Sequence, residues 1–149
     1  QAGRKYKNCL ETAQEIIQGC ADIADEVGKQ KIGRPAGVTT EGNVYDTDYI
    51  ESPYSENSKT DFIDNIKSIQ NAYLGSNDGD ASVSDYVKTV SPETNEEVVA
   101  AINNAIAKIE AIPGVFRKNY NTQEAKDAAE ACGTTLVNAL NKAIRALEE

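Results

Sequence analysis

The sequence predicts an all-α protein: a four-helix bundle with one long irregular loop and one short extra helix. Three observations predict it. Apolar residues recur at spacings of three and four in four separate segments. Helix caps and stops flank those segments. No stretch shows the sustained alternation of a strand. At 149 residues the chain holds about one domain, so residues 1–149 read as a single bundle.

The first helix is expected from about Tyr6 to Lys31. Tyr6, Leu10, Ala13, Ile16, Ile17, Cys20, Ile23, Ala24 and Val27 form its apolar stripe. Gly19 and Gly28 each weaken a helix by about 1 kcal/mol against Ala. Gly19 is expected to admit a close neighbour, and Gly28 to lie at a fraying end. From residue 32 to 57 the pattern stops. Gly33, Pro35, Gly37, Gly42 and Pro53 break it up, and Tyr45, Tyr49 and Tyr54 load it with aromatic surface. A long loop of this kind is functional or an interface, and this one is expected to pack on something. The second helix runs from Ser58 or Thr60 to Tyr73, with Phe62, Ile63, Ile66, Ile69 and Tyr73 buried and Gly75 as its stop. Ser76–Asp80 is a turn, and Ser82 opens the short helix from Val83 to Val90. Ser91 caps the third helix, Pro92 takes its first position, and Pro113-Gly114 ends it after Ile112. Val98, Val99, Ile102, Ile106 and Ile109 are its stripe. Val115 and Phe116 make a small apolar patch. The fourth helix runs from Thr122 to Leu147 with Ala125, Ala129, Cys132, Leu136, Leu140, Ile144 and Leu147 inward.

Composition then excludes function classes. The chain has no His, which removes Ser-His and Cys-His pairs and His-ligated zinc. A Ser nucleophile here has only a carboxylate or Lys as base. The net charge of −9 argues against nucleic acid and anionic membrane surfaces. There is no Met, even at position 1, so Gln1-Ala2-Gly3 reads as the start of a mature product or of a piece of a longer protein. Cys9 and Cys20 on one helix are roughly 16 Å apart at 1.5 Å per residue, too far for a disulfide. Two readings remain: three buried thiols, or a bridge from one of these to Cys132.

Candidate chemistry sits mostly in and after the loop. Asp46, Asp48 and Glu51 are spaced carboxylates that can bind a hard cation or act as acid and base, or stay solvated. Asn77-Asp78-Gly79-Asp80 looks superficially like a calcium loop, but its twelfth position is Lys88 rather than Glu, so it reads as a solvated turn. The glycines of residues 75–79 follow a helix and not a strand, so they make no phosphate loop. Asp61, Asn65 and Ser68 share one helix face, directly after the Tyr-rich loop.

The stretch IESPYSENSKTDFIDNIKSIQNAYLG, from Ile50 to Gly75, resembles a block in the second half of imelysin-family proteins. Ala24-Asp25-Glu26-Val27 and the segment from Ala105 to Pro113 are similar to the family too. The resemblance implies the second of two helical bundles, with a site at the interface between them. It implies a cell-envelope location, in the periplasm or as an outer-membrane lipoprotein whose lipid anchor lies outside this chain. It also implies a part in iron acquisition and a partner in the N-terminal half of the same protein. The family's Gly-x-His-x-x-Glu motif belongs to that first half and cannot be formed here. By resemblance, the residues left to carry a site are Glu51, Ser52, Ser58, Asp61 and Asn65, with Tyr73 as support. Glu51 and Asp61 are the candidate oxygen ligands for iron or another divalent cation. The same residue types also serve to pin a loop onto a helix. The expected function is therefore a metal-binding, iron-acquisition domain that is not catalytic alone. The alternatives are half of a metallopeptidase, or a surface interaction module using the tyrosine-rich loop.

Overall fold

The first helix, α1 (Ala2–Asp25), runs without a break into a π-helical segment, π1 (Glu26–Ile32). The computed structural model describes residues 2–40, 42, 44–47, 58–75 and 82–148, and for residues 2–9 and 117 the backbone alone. After the loop come α2 (Ser58–Leu74), α3 (Val83–Val90), α4 (Pro92–Glu110) and the single turn α5 (Phe116–Asn119). A last continuous helix comprises α6 (Gln123–Glu130), the π-helical π2 (Ala131–Leu136) and α7 (Val137–Glu148). Among the described residues there is no strand.

The four long helices stand as a square. Helix α1 packs beside α2 and α7, and α4 packs beside α2 and α7. Polar links cross all four seams. Gln14 donates to the Ile144 carbonyl at 3.1 Å, and Gln70 donates to Asn103 at 3.3 Å. Lys142 meets Glu97 at 2.9 Å, and the Cys20 thiol lies 3.9 Å from the Ile69 carbonyl. Helix α3 closes one end of the square, against α4, α2, α7 and α1. Its N-terminus is a reciprocal capping box between Ser82 and Asp85. Ser91 caps α4 and Pro92 opens it, as its sequence predicts. Gly75 and Gly114 end their segments at φ 75° and 55°.

The stripes predicted for α2, α4 and the last helix face the core. Phe62, Ile66, Ile69, Val98, Ile102, Ile109, Leu136 and Leu140 are all buried. Phe116 meets Phe62 edge-on with ring centroids 5.1 Å apart, so the predicted apolar patch belongs to this core. Cys20 and Cys132 are both buried and free, which decides against a bridge between them. The side chain of Cys9 lies outside the described residues.

Two expectations about α1 are corrected. Ile16 and Ile23 are not core: they are 36% and 37% exposed, and Ala21 is buried instead. The two glycines also exchange roles. Gly19 has open space where a Cβ would go. A Cβ on Gly28 would lie 2.1 Å from the Gly133 nitrogen and 2.4 Å from its Cα. Gly28 is therefore the point where π1 lies backbone against backbone on π2. The wider π turns were not anticipated either.

These positions give opposite predictions for the same substitution. Gly28→Ala should destabilise the protein by about 3 kcal/mol or more, since only backbone can give way. Gly19→Ala should stabilise it by up to about 1 kcal/mol through helix propensity alone. Urea denaturation of both variants checks this, and equal effects would show that the crossing is not tight.

Candidate functional site

The loop after π1 is built before it is decorated. Ala36 donates to the Ile32 carbonyl at 3.0 Å and Val38 to the Gly33 carbonyl at 2.8 Å. The hydroxyl of Thr39 donates to the Lys29 carbonyl. The chain then turns back so that Arg34 pairs with Asp46 at 2.7 Å. This places Tyr45 edge-on to Tyr120 at 5.7 Å, with the Lys126 ammonium 5.9 Å from the Tyr45 ring. The expectation that the loop packs on something holds for this part. Asp46 serves as the ion-pair partner of Arg34. Asp48, Tyr49, Glu51, Ser52, Tyr54 and the turn at 76–80 lie outside the described residues.

The remaining candidates lie on α2. Ser58 is buried at its start. Asp61 is exposed and Asn65 half-buried, one turn apart on one face. Ser68 donates to the Asn65 carbonyl at 2.6 Å, so its hydroxyl is spent within the helix. Tyr73 does not join them. It lies roughly 22 Å along the axis from Ser58, at 1.5 Å per residue.

Which neighbour Asp61 and Asn65 face follows from the seam contacts. Gln70 of α2 reaches α4, and the Lys59 ammonium donates to the Ile112 carbonyl at 2.6 Å, so α4 flanks that side. At about 100° per residue, Asp61 and Asn65 fall on the opposite flank, toward α1. On α1, Gln14 points to α7 and Cys20 to α2. Ile16 and Ile23 then fall on the flank toward α2. The outer α1–α2 face thus joins two exposed isoleucines to a carboxylate and an amide.

Tyr73, itself buried, belongs to a different, part-buried polar group. Its hydroxyl donates to Asn95 Oδ1 at 2.8 Å, and Ser84 donates to the same oxygen at 2.7 Å. Asn95 and Ser84 were missed by sequence reasoning. The available signal was position: Asn95 extends the stripe of Val98 and Ile102 by one turn, where an apolar residue is expected. Burial pushes the Cys20 thiol from 9.0 up to about 11 and the Cys132 thiol from 9.0 up to about 12. Burial, with the nearby Cys20, also raises Tyr73 well above its ordinary range. These are structural thiols and not activated nucleophiles.

Among the described residues no three of His, Cys, Asp or Glu come together. Asp61 and Asn65 are hard oxygen donors suited to iron in kind but too few to hold it, so these residues alone do not make a metal site.

The family model for imelysin (peptidase M75) matches residues 1–147. The chain belongs to the imelysin family. Its fold is similar to that of an imelysin peptidase from Bacteroides ovatus, with 36% identity and a TM-score of 0.76 over 89% of this chain and 38% of that one. It is also similar to the iron-regulated protein A precursor of Parabacteroides distasonis, with 33% identity and a TM-score of 0.71 over 85% of this chain and 38% of that one. No match is found among curated proteins. This imelysin chain spans about 38% of the length of the two solved relatives.

Two measurements check the buried polar groups. A group whose folded pKa lies above its unfolded value stabilises the fold fully below the unfolded pKa, because the unfolded chain ionises first as pH rises. Stability from Cys20 and Cys132 should therefore persist up to about pH 9 and fall between pH 9.0 and about 12. Urea midpoints across that range should drop, and drop less in Cys132→Ala. Separately, Tyr73→Phe removes one hydrogen bond for about 1 kcal/mol, whereas Asn95→Ala strands two hydroxyls and should be the more destabilising of the two. A larger loss in Tyr73→Phe would show that Asn95 is not the hub.

Proposed function

We propose that this chain is a non-catalytic imelysin domain of the cell envelope that works within a longer protein, docking through its outer α1–α2 face. The observation that carries this is the pair Ile16 and Ile23, exposed at a two-turn spacing on α1, with exposed Asp61 and half-buried Asn65 on the α2 flank of the same face. Exposed apolar side chains in register on one helix, bordered by polar ones, have the make-up of an interface core and its rim. The solved relatives are more than twice as long as this chain, which supports a further bundle as the occupant. In that assembly Asp61 and Asn65 contribute polar groups at the interface, and the histidine chemistry of a peptidase comes from elsewhere.

A second reading makes this interface an iron site. The name of the Parabacteroides distasonis relative, an iron-regulated protein A precursor, favours it. Asp61 would then be one oxygen ligand among several, and the rest would come from the partner bundle.

One comparison tests both. Hydroxyl-radical footprinting of the 149-residue chain and of the product of its complete reading frame should show Ile16 and Ile23 protected in the longer protein only. Equal labelling, or a reading frame no longer than this chain, would rule out the docking face. Iron content of the longer protein should fall in Asp61→Ala under the second reading; unchanged iron would remove that reading and leave the first standing.

A further inference from the structure

A glycine inside a helix weakens it, yet nothing in this chain uses the space that Gly19 leaves. The helical glycines Gly28 and Gly133 differ, since each is filled by the other's backbone. Gly19 is exposed, and Ile16 and Ile23 stand about one turn to either side of it, 36% and 37% exposed. Two apolar ridges with a gap between them fit a crossing helix, because a missing side chain lets two helix axes approach closely.

The charges around this gap are of one sign. From Leu10 to Gly28 the sequence holds Glu11, Glu15, Asp22, Asp25 and Glu26, and no Lys or Arg. Asp25 is taken up by Lys29 at 2.7 Å. Glu15 and Asp22 are exposed and make no ion pair among the described residues. At about 100° per residue, the isoleucines fall on the α2 side of Gly19 and these two carboxylates on its other side. Helix α2 adds Asp61 and Asp64, both exposed. Its cations turn elsewhere: Lys59 donates to the Ile112 carbonyl at 2.6 Å, and Lys67 falls on the α4 side with Gln70. The α4–α7 face, diagonally across the core, is the contrast. A cleft of about 420 Å³ opens there, walled by Ala100, Ala101 and Ala139 and bearing two asparagines. Its border is the Glu97–Lys142 pair, whose charges cancel.

An apolar patch bordered by uncompensated carboxylates selects its occupant by charge. A second copy of this chain would set the same carboxylates against one another. We infer that the occupant of the α1–α2 face is a cationic amphipathic helix of the partner bundle. It crosses α1 at Gly19, seats its apolar stripe on Ile16 and Ile23, and sets Lys or Arg against Glu15, Asp22 and Asp61. This rests on the docking reading above and adds the shape and sign of the partner. The isoleucines supply the apolar centre of the contact, and the opposite charges at its rim fix the register.

The test uses the product of the complete reading frame. Hydroxyl-radical labelling of Ile16 and Ile23 is the readout, and the 149-residue chain is the unprotected reference. Glu15→Lys with Asp22→Lys sets like charges together and should raise labelling of both isoleucines to the reference level. Glu15→Gln with Asp22→Gln removes attraction without adding repulsion and should raise it less. Gly19→Leu fills the gap and should also abolish protection. All three positions are exposed, so each variant of the 149-residue chain should keep a nearly unchanged melting temperature. Protection retained in either the Lys double variant or Gly19→Leu overturns the cationic crossing helix and leaves the docking reading standing. Isoleucines as reactive in the complete product as in the chain, or a reading frame no longer than the chain, overturn both. Protection in the 149-residue chain that grows with its own concentration identifies a second copy and overturns the assignment of charge.

Discussion

The contact between Gly28 and Gly133 organises this bundle. Two helices can touch backbone to backbone only where neither carries a Cβ, and here both segments are π-helical at the point of contact. The crossing joins the end of the first long helix to the middle of the last, the two elements most distant in sequence. It also fixes where the following loop begins. Gly33 has its own constraint, since a Cβ there would lie 2.5 Å from the Gly28 carbonyl oxygen. The carbonyls of Lys29, Ile32 and Gly33, at the end of π1, are taken up by loop groups. The helix end and the loop start are one hydrogen-bonded unit.

From that crossing the four helices spread into a square, two of whose outer faces differ in chemistry. On α1–α2, α1 carries exposed isoleucines and α2 a carboxylate and an amide. On α4–α7, alanines and asparagines leave an open cleft bordered by a neutralised ion pair. The difference is one of side-chain size: long apolar side chains project from the first face and call for cover, while short ones on the second leave a recess. A surface that is 36–37% exposed at two isoleucines loses apolar area from water only when another body covers it. A recess walled by alanine keeps its volume whether or not that body is present.

The interior polar groups are arranged for stability. Asn95 accepts from Tyr73 and Ser84, and so satisfies two buried hydroxyls where the short helix α3 meets the bundle. The thiols of Cys20 and Cys132 are held in their neutral form by burial. None of these groups has the exposure or the depressed pKa of a nucleophile.

Much of this was legible in the sequence. Periodicity and caps located α2, α3 and α4 because their stabilising signals are local: Ser82, Ser91, Pro92, Gly75 and Gly114 act within a turn of where they stand. The block from Ile50 to Gly75 carried the family. What could not be read was which flank of a stripe faces a neighbour. Ile16 and Ile17 are adjacent in sequence, and only the placement of α2 and α7 decides that one is core and the other surface. Gly19 and Gly28 look alike for the same reason, since a glycine's role is set by what approaches it from another helix. Asn95 occupies an apolar position because two hydroxyls from other elements meet it there. The sequence by itself determined helices, boundaries and family, which depend on local hydrogen bonds and spacing. The tertiary structure decided the crossing, the two faces and the cleft, which depend on distances between residues far apart in the chain.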